Sequence, residues 1–261
     1  MVRDSEVGLV RGHSLRASAT KTREEDIRPD RKHSKACHPL VLQLAAVIFD
    51  FDGVVLDSET PEFESHRRIY ERCGVALTED EWCDQIGAWT DGKDERWATQ
   101  LRERSTSAPE AVDYHAEKRR IFLEIVPRKP MRGICELLEM LTAAGVLAAL
   151  ASTSPTRWVM PAVEGLGLRP TFGAIVTGDE VARRKPAPDV YQEAARRLGV
   201  DPARSIAIED SRPGIMAAKA AGMKAIAIPH WLTERHDLSA ADLRVTHAGE
   251  VTLARLTALI V

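Results

Sequence analysis

Short, wholly apolar runs separated by helix-like segments dominate the chain from Leu44 onward. Such runs are typical of parallel strands buried on both faces of a sheet, and amphipathic segments that end in glycine are typical of helices. Strands are predicted at 45–49, 146–151, 174–177, 205–208 and 225–228. Helices are predicted between the later strands, including 189–198 before Gly199 and 212–221 before Gly222. The pattern predicts an α/β fold with repeated strand–helix winding.

The interval between the first two predicted strands is too long for one crossover helix. It contains helical patterns at 58–73 and 94–104, and two capping-box sequences, Thr78 to Glu81 and Ser107 to Glu110. The boxes predict one helix that ends near Gly87 and another that continues to about residue 126. A further helix at 134–144 leads into the second strand. We therefore expect an all-helical insertion at 59–126 and an α/β core formed by 44–58 and 127–261.

Residues 1–43 differ from the rest of the chain. They carry nine Lys or Arg and six Asp or Glu, with neither helical nor strand periodicity. This composition predicts a disordered N-terminal extension. A transit peptide is an alternative, but such peptides are poor in acids, whereas this segment contains Glu24, Glu25 and Asp26.

Composition narrows the class of protein. The chain of 261 residues has 36 Lys and Arg against 39 Asp and Glu, a balance that favours neither nucleic acid nor an anionic membrane surface as partner. Its apolar runs are shorter than the roughly 18 residues needed to span a membrane. The four cysteines form no CxxC pair and predict reduced thiols in the cytoplasm. The sequence does not fix the oligomeric state, and a monomer is compatible with it.

Two aspartates, Asp50 and Asp52, follow the first strand and precede Gly53. An EF-hand calcium loop is one alternative, but Ile48 would occupy its first ligand position and an apolar strand precedes it. A solvated turn is another alternative, since Asp and Gly are common turn residues. Taken alone, this motif leaves a catalytic site and a turn about equally supported.

Polar residues also follow the other strands, and parallel strands bring their carboxyl ends to one edge of the sheet. Ser152 and Thr153 could bind an anion at a helix start or merely cap that helix. Lys185, before Pro186, could serve the same crevice or lie on the surface. Glu209 and Asp210 end the fourth strand. With Asp50 and Asp52 they place four acids in one crevice, which predicts a hard dication, Mg²⁺, among them.

In these motifs the chain resembles the haloacid dehalogenase superfamily of aspartyl-phosphate phosphotransferases. The four motifs are Asp50-Phe51-Asp52-Gly53-Val54, Ser152, Lys185-Pro186-Ala187-Pro188 and Glu209-Asp210-Ser211. The resemblance extends from about residue 45 to the C-terminus. It implies a Rossmann-like parallel sheet with a central first strand, and an inserted helical cap like that of β-phosphoglucomutase and many sugar-phosphate phosphatases.

The resemblance also implies roles for single residues. Asp50 would attack phosphorus and carry the aspartyl phosphate. Asp52 would protonate the leaving oxygen and then activate water. Ser152 and the Thr153 N–H would bind phosphoryl oxygens, and Lys185 would neutralise charge on the phosphoryl group and on Asp50.

For the metal, the resemblance implies Mg²⁺ held by the Asp50 carboxylate, the Asp52 backbone carbonyl and Asp210. Glu209 would have a supporting or water-mediated role. The expected ligands thus come from both acidic strand ends.

The cap offers weaker signals. The loop 87–93 contains Trp89 and could reach a substrate, although packing between helices is the favoured interpretation for Trp89 and Trp97. His66 and His115 are expected at the surface. Glu62 stands where the β-phosphoglucomutase type carries histidine.

We therefore predict a Mg²⁺-dependent phosphatase of small phosphorylated metabolites, most consistent with sugar or polyol phosphates. A phosphomutase with the same chemistry is the main alternative. A 2-haloacid dehalogenase would need neither Asp52 nor the Glu209–Asp210 pair. A catalytically silent binding protein would need none of the motif residues.

Overall fold

The computed structural model describes residues 43–83, 86 and 93–260. One parallel sheet forms the centre of this region, with the strands β1 Ala46–Phe49, β2 Leu147–Ala151, β3 Ala174–Val176, β4 Ser205–Glu209, β5 Lys224–Ala227 and β6 Leu243–Arg244. The first five are the predicted strands, each shifted by at most one residue at either end. The two-residue β6 is an addition, too short to produce a periodic pattern.

The strand order is β3-β2-β1-β4-β5-β6, so β1 lies in the middle of the sheet, between β2 and β4. Val47 and Phe49 of β1 pack into the hydrophobic cluster on one face, and Ala46 and Ile48 pack into the cluster on the other. This burial on both faces explains the uninterrupted apolar run. The α/β prediction and the central position of the first strand are confirmed.

Nine α-helices are present in the described residues: α1 Glu59–Arg72, α2 Glu79–Cys83, α3 Lys93–Arg104, α4 Ala111–Ile125, α5 Ile134–Ala144, α6 Thr156–Gly165, α7 Asp189–Leu198, α8 Arg212–Ala220 and α9 Leu253–Ile260. The first four lie between β1 and β2, where the helical insertion is predicted. The capping box of α2 forms as expected, because Thr78 Oγ1 accepts from the Glu81 N–H and Glu81 accepts from the Thr78 N–H. The helix predicted from the second box is present, but its predicted start is wrong. α4 begins at Ala111 with Glu110 as its N-cap, four residues beyond Ser107.

A cluster of aromatic side chains fills the space between the inserted helices. Trp82 and Trp97 stack with ring centroids 5.1 Å apart, and both are buried. The packing role predicted for Trp97 is confirmed, whereas Trp89 and residues 87–92 lie outside the described residues. The surface position predicted for His66 is wrong. His66 is fully buried beside Trp82 and hydrogen-bonded to the Tyr114 hydroxyl, because its neighbours on α1 face the cluster.

Two further outcomes concern regions outside the sheet. Residues 1–42 of the N-terminal extension predicted at 1–43 lie outside the described part of the chain, and its last residue, Gln43, is described and exposed. Within the described ranges, no helix combines the length and the apolar character that crossing a membrane requires.

Candidate active site

Asp50 follows β1 directly and lies at the carboxyl edge of the sheet. Its N–H donates to Ile208 O at 2.9 Å, which extends the pairing with β4 by one residue. Lys185 Nζ donates to Asp50 Oδ1 at 2.5 Å and to Glu209 Oε1 at 2.6 Å. Since Lys185 is buried, the surface interpretation of this lysine is excluded. Three predicted site residues from different strand ends are therefore in direct contact.

Both carboxylate oxygens of Glu209 have polar partners. Its Oε1 also accepts from the Tyr191 hydroxyl at 2.6 Å, and its Oε2 lies 3.3 Å from Ser211 Oγ. A Cβ on Gly214 would lie 2.0 Å from both Glu209 carboxylate oxygens, so only glycine leaves room for this acid. Tyr191, in the first turn of α7, has no local sequence signal, because it reaches Glu209 only through the tertiary fold.

Asp210 completes a group of acids with Asp50 and Glu209, whose carboxylate oxygens lie within 4.8 Å of one another. Gly53, at φ 78°, permits this approach because a Cβ there would lie 2.6 Å from Asp210 Oδ2. Burial, followed by repulsion from Glu209 and Asp50, raises the pKa of Asp210 well above its usual value. Among the described residues, Lys185 is the one cation that contacts this group, and the hard oxygen donors of the three carboxylates are compatible with a divalent metal ion.

The pKa of Asp50 is also raised well above its usual value. Burial is the main cause, and the charges of Glu209 and Asp52 add to it, whereas Lys185 acts in the opposite direction. The raised pKa values of Asp50 and Asp210 thus have the same main cause, burial. Removing carboxylates from water favours their protonated forms unless positive charge compensates.

Asp52 does not join the three-acid group through its carboxylate. Its Oδ1 accepts from Ser58 Oγ at 2.6 Å and from Trp158 Nε1 at 2.9 Å. Its Oδ2 accepts from Ser154 Oγ at 2.6 Å and from Ser152 Oγ at 3.3 Å. Of the four acids predicted for this crevice, three therefore form one close group, and Asp52 lies beside them, held by neutral donors.

The loop after β2 places Ser152 and Thr153 at the same edge. Ser152 is buried, its N–H donates to Val176 O, and its hydroxyl accepts from the Ser154 N–H. The N-cap of α6 is Pro155, not Ser152. Ser152 is thus free of the capping role that was the alternative interpretation, and half-buried Thr153 lies next to it in the loop.

A loop after β5 connects the core to the start of the insertion. His230 Nε2 lies 3.1 Å from Asp57 Oδ1, and Trp231 Nε1 donates to Thr60 Oγ1 at 2.9 Å. Burial alone would raise the pKa of Asp57, but hydrogen bonds from His230 and from the Thr60 N–H outweigh it and lower the pKa. In the same loop Thr233 Oγ1 lies 3.3 Å from Asp210 Oδ2. No motif in the sequence marks this loop.

Glu62 of the insertion is paired with a cation. Lys118 Nζ lies 2.6 Å from Glu62 Oε1, and buried His66 lies 3.8 Å from the same oxygen. The ion pair neutralises the acid that replaces the mutase-type histidine. His115 is half-buried, with Nε2 3.6 Å from a carboxylate oxygen of Glu95.

The sequence profile of the haloacid dehalogenase-like hydrolases matches residues 47–228, which include all four motifs. The chain belongs to this family. The phosphorylated carbohydrates phosphatase of Thermotoga maritima is 34% identical over 188 residues, covering 70% of this chain and 84% of that protein. Hexitol phosphatase B of Escherichia coli K12 is 32% identical, covering 72% and 84%.

A solved structure supports the same placement. CbbY from Rhodobacter sphaeroides in complex with phosphate has a TM-score of 0.65 and 30% identity, covering 82% of this chain and 99% of that one. These similarities confirm the predicted subgroup and the Rossmann-like core. This haloacid dehalogenase-like hydrolase is accordingly an enzyme that acts on phosphate esters.

Proposed function

We propose that the protein is a Mg²⁺-dependent phosphatase of sugar or polyol phosphates that works through an aspartyl phosphate on Asp50. The observation that carries the proposal is the position of Lys185 Nζ, which bridges Asp50 and Glu209 beside Asp210. A buried carboxylate next to a fixed cation is suited to attack a phosphoryl group, because the cation offsets the charge repulsion. The substrate class is supported by the relatives that act on phosphorylated carbohydrates and hexitols.

The donor chemistry of the acidic group fits Mg²⁺. Asp50, Asp210 and the Asp52 backbone carbonyl would hold the ion, while Glu209, already bound by Lys185 and Tyr191, would have the supporting role. When bound, the ion would supply positive charge that lets an anionic phosphate approach an anionic carboxylate.

The proposed reaction has two displacements at phosphorus. An Asp50 carboxylate oxygen forms a bond to phosphorus while the bond to the ester oxygen breaks, and Asp52 gives that oxygen its proton. Water then attacks phosphorus, Asp52 takes the water proton, and the bond to Asp50 breaks to release inorganic phosphate. Lys185 stays charged throughout, since its two carboxylate partners raise its pKa despite burial.

Ser152 and the N–H of Thr153 are proposed to bind the transferring phosphoryl oxygens. The Ser152 hydroxyl lies at a long 3.3 Å from Asp52, a contact it can exchange for a phosphoryl oxygen. The buried position of Ser152 keeps this donor fixed at the edge. The substrate site would thus lie between Ser152 and Asp50.

The proposal includes a cytoplasmic location and a small phosphorylated metabolite as the partner. Among the described residues, Cys73 and Cys135 are free thiols. Free thiols are typical of a reducing compartment.

The phosphomutase alternative differs only in the acceptor of the phosphoryl group. The Lys118–Glu62 pair in place of a histidine favours the phosphatase, because no imidazole is offered there to a second phosphate. The test is a panel of sugar and polyol monophosphates with and without Mg²⁺, in which we expect release of inorganic phosphate. The panel includes β-glucose 1-phosphate with a trace of the bisphosphate activator. Efficient glucose 6-phosphate formation with negligible free phosphate would overturn the assignment.

A further inference from the structure

The Asp52 carboxylate is held by three hydroxyl groups and one indole. Ser58, Ser152 and Ser154 supply the hydroxyls, whose hydrogens can rotate toward other acceptors. The Trp158 indole N–H can only donate, and its direction is fixed by the ring. Of the two donors to Asp52 Oδ1, Ser58 Oγ and the indole, the indole therefore constrains the position of that oxygen more rigidly.

The other end of the Trp158 ring contacts the inserted helices. Trp158 lies on α6 of the core, and its ring meets Phe122 of α4 edge to face, with centroids 5.1 Å apart and planes at 70°. Phe51, between the two motif aspartates, contacts the same ring with centroids 6.3 Å apart. Both Trp158 and Phe122 are half-buried. One side chain thus joins the acid of the reaction to a helix of the insertion.

The partner side of this contact is also anchored. Lys118, one turn before Phe122 on α4, lies with Nζ 5.7 Å from the Phe122 ring centroid and is paired with Glu62 of α1. A displacement of α4 relative to α6 would therefore move Phe122 together with an ion-paired neighbour. The ring contact with Trp158 would change at the same time.

We propose that Trp158 is a positioning residue that couples the orientation of Asp52 to the position of α4. The inference rests on the proposed function, in which Asp52 must direct a proton at the leaving oxygen. The N–H of Trp158 fixes Asp52 Oδ1, and the Trp158 ring moves with Phe122. The position of α4 therefore determines whether the Asp52 proton points at the substrate. Proton transfer is thereby linked to the position of the insertion.

Two variants separate the two halves of the coupling. Trp158→Phe keeps a ring against Phe122 but removes the donor to Asp52, and Phe122→Leu keeps apolar volume but removes the ring edge. We expect each to lower kcat on a hexitol phosphate about tenfold, with KM within about twofold, because proton transfer and not binding is impaired. The exposed neighbours on the same helices provide matched controls, Arg157→Ala and Leu123→Ala.

A substrate that needs no acid distinguishes positioning from packing. With enzyme in excess, single-turnover release of p-nitrophenol from p-nitrophenyl phosphate depends little on leaving-group protonation. Trp158→Phe should release it within about twofold of the wild-type rate while its hexitol phosphate turnover falls about tenfold. The double variant should be no slower than either single variant, since both act on one unit.

Equal losses on the two substrates, additive losses in the double variant, or wild-type turnover by Trp158→Phe would each overturn the inference. Asp52→Asn, measured alongside, separates this failure from that of the proposed function. If Asp52→Asn turns over the hexitol phosphate normally, the proposed reaction is wrong. If Asp52→Asn is inactive and Trp158→Phe is normal, only the coupling is wrong.

Discussion

The carboxyl edge of the sheet and the interior of the inserted helices are both buried, but acidic side chains line the first and aromatic rings fill the second. At the edge, the part of the chain that the structure describes places one cation, Lys185, beside Asp50, Glu209 and Asp210, and burial raises the pKa of two of these acids. Inside the insertion, stacked and tilted rings fill the space around Trp82. Burial of rings stabilises a fold, whereas burial of unbalanced acids destabilises it. The comparison indicates that the edge is maintained for chemistry and the ring cluster for stability.

Polar groups in the two regions also differ, because those of the insertion are paired and those of the edge are not balanced in charge. Within the insertion, His66 is hydrogen-bonded to the Tyr114 hydroxyl, and Glu62 is paired with Lys118. At the edge, negative charge exceeds positive charge. A difference of this kind predicts opposite responses to substitution in the two regions.

The largest effect is expected from Asp50→Asn at the edge. The amide is nearly isosteric but a poor nucleophile, so phosphatase turnover should fall by several orders of magnitude while the melting temperature is kept or rises. Asp113→Asn, an exposed substitution on α4, is the matched control and should leave turnover unchanged. Retention of a tenth of the wild-type rate by Asp50→Asn would remove this residue from the mechanism.

Chelation should come next. EDTA should abolish turnover and added Mg²⁺ should restore it, because the three carboxylates need positive charge to act beside a phosphate. Phosphate release that persists in EDTA would instead contradict the assignment of Mg²⁺ to the three carboxylates.

The affinity for Mg²⁺ should also depend on pH, with a sign set by the raised pKa values of Asp50 and Asp210. Acids with raised pKa values keep their protons to higher pH than usual, and those protons compete with the ion. Calorimetric titrations between about pH 5 and pH 8 should show tighter binding as pH rises, with release of protons. Affinity that is constant over this range would contradict the crowded-acid interpretation.

Paired substitutions test the comparison through stability alone. Trp82→Ala should lower the free energy of unfolding by about 3 to 5 kcal/mol, because it leaves a cavity in the ring cluster. Asp210→Asn should raise it for the metal-free protein at neutral pH, because it removes a repelled buried charge.

The sign of the Asp210 effect follows from its raised pKa. The folded state holds the Asp210 proton more tightly than the unfolded state, so stability of the metal-free protein decreases as pH rises through the raised pKa. The advantage of Asp210→Asn should therefore be greatest at neutral pH and vanish in acid. Denaturant unfolding at both conditions measures this difference, and a destabilised Asp210→Asn protein at neutral pH would contradict it.

The smallest effect is expected from deletion of residues 1–42. Their sequence lacks the apolar periodicity needed to pack on either region, so melting temperature and turnover should stay unchanged. The deletion ends before Gln43, whose carbonyl accepts from Arg204 Nε at 2.8 Å. A drop of many degrees in melting temperature would show that the extension packs on the core.

The local pattern of apolar residues was sufficient to predict the strands of the core. The apolar runs predicted five strands because strands buried on both faces need no polar alternation, and β6 escaped because two residues carry no period. Because polar residues that follow parallel strands meet at one edge of the sheet, the sequence then predicted that Asp50, Lys185 and Glu209 lie together, although they are distant along the chain.

Contacts made by tertiary packing were beyond the sequence. Trp158 reaches Asp52 across 106 positions, and nothing near Trp158 marks it as a partner of an acid. The second capping box failed for a related reason, since Ser107 fits the motif but α4 begins only at Ala111. His66 was misplaced because a polar residue on a helix ordinarily faces water, whereas here Tyr114 satisfies it inside the ring cluster.

The most direct test of the central claim is chemical identification of the phosphorylated residue. Asp52→Asn, incubated with Mg²⁺ and p-nitrophenyl phosphate, should form the aspartyl phosphate without hydrolysing it, because the leaving group needs no acid while the water step lacks its base. After an acid quench and borohydride reduction, which converts an acyl phosphate to an alcohol, peptide mass spectrometry should find homoserine at position 50. Reduction at another residue, or none despite nitrophenol release, would contradict the account.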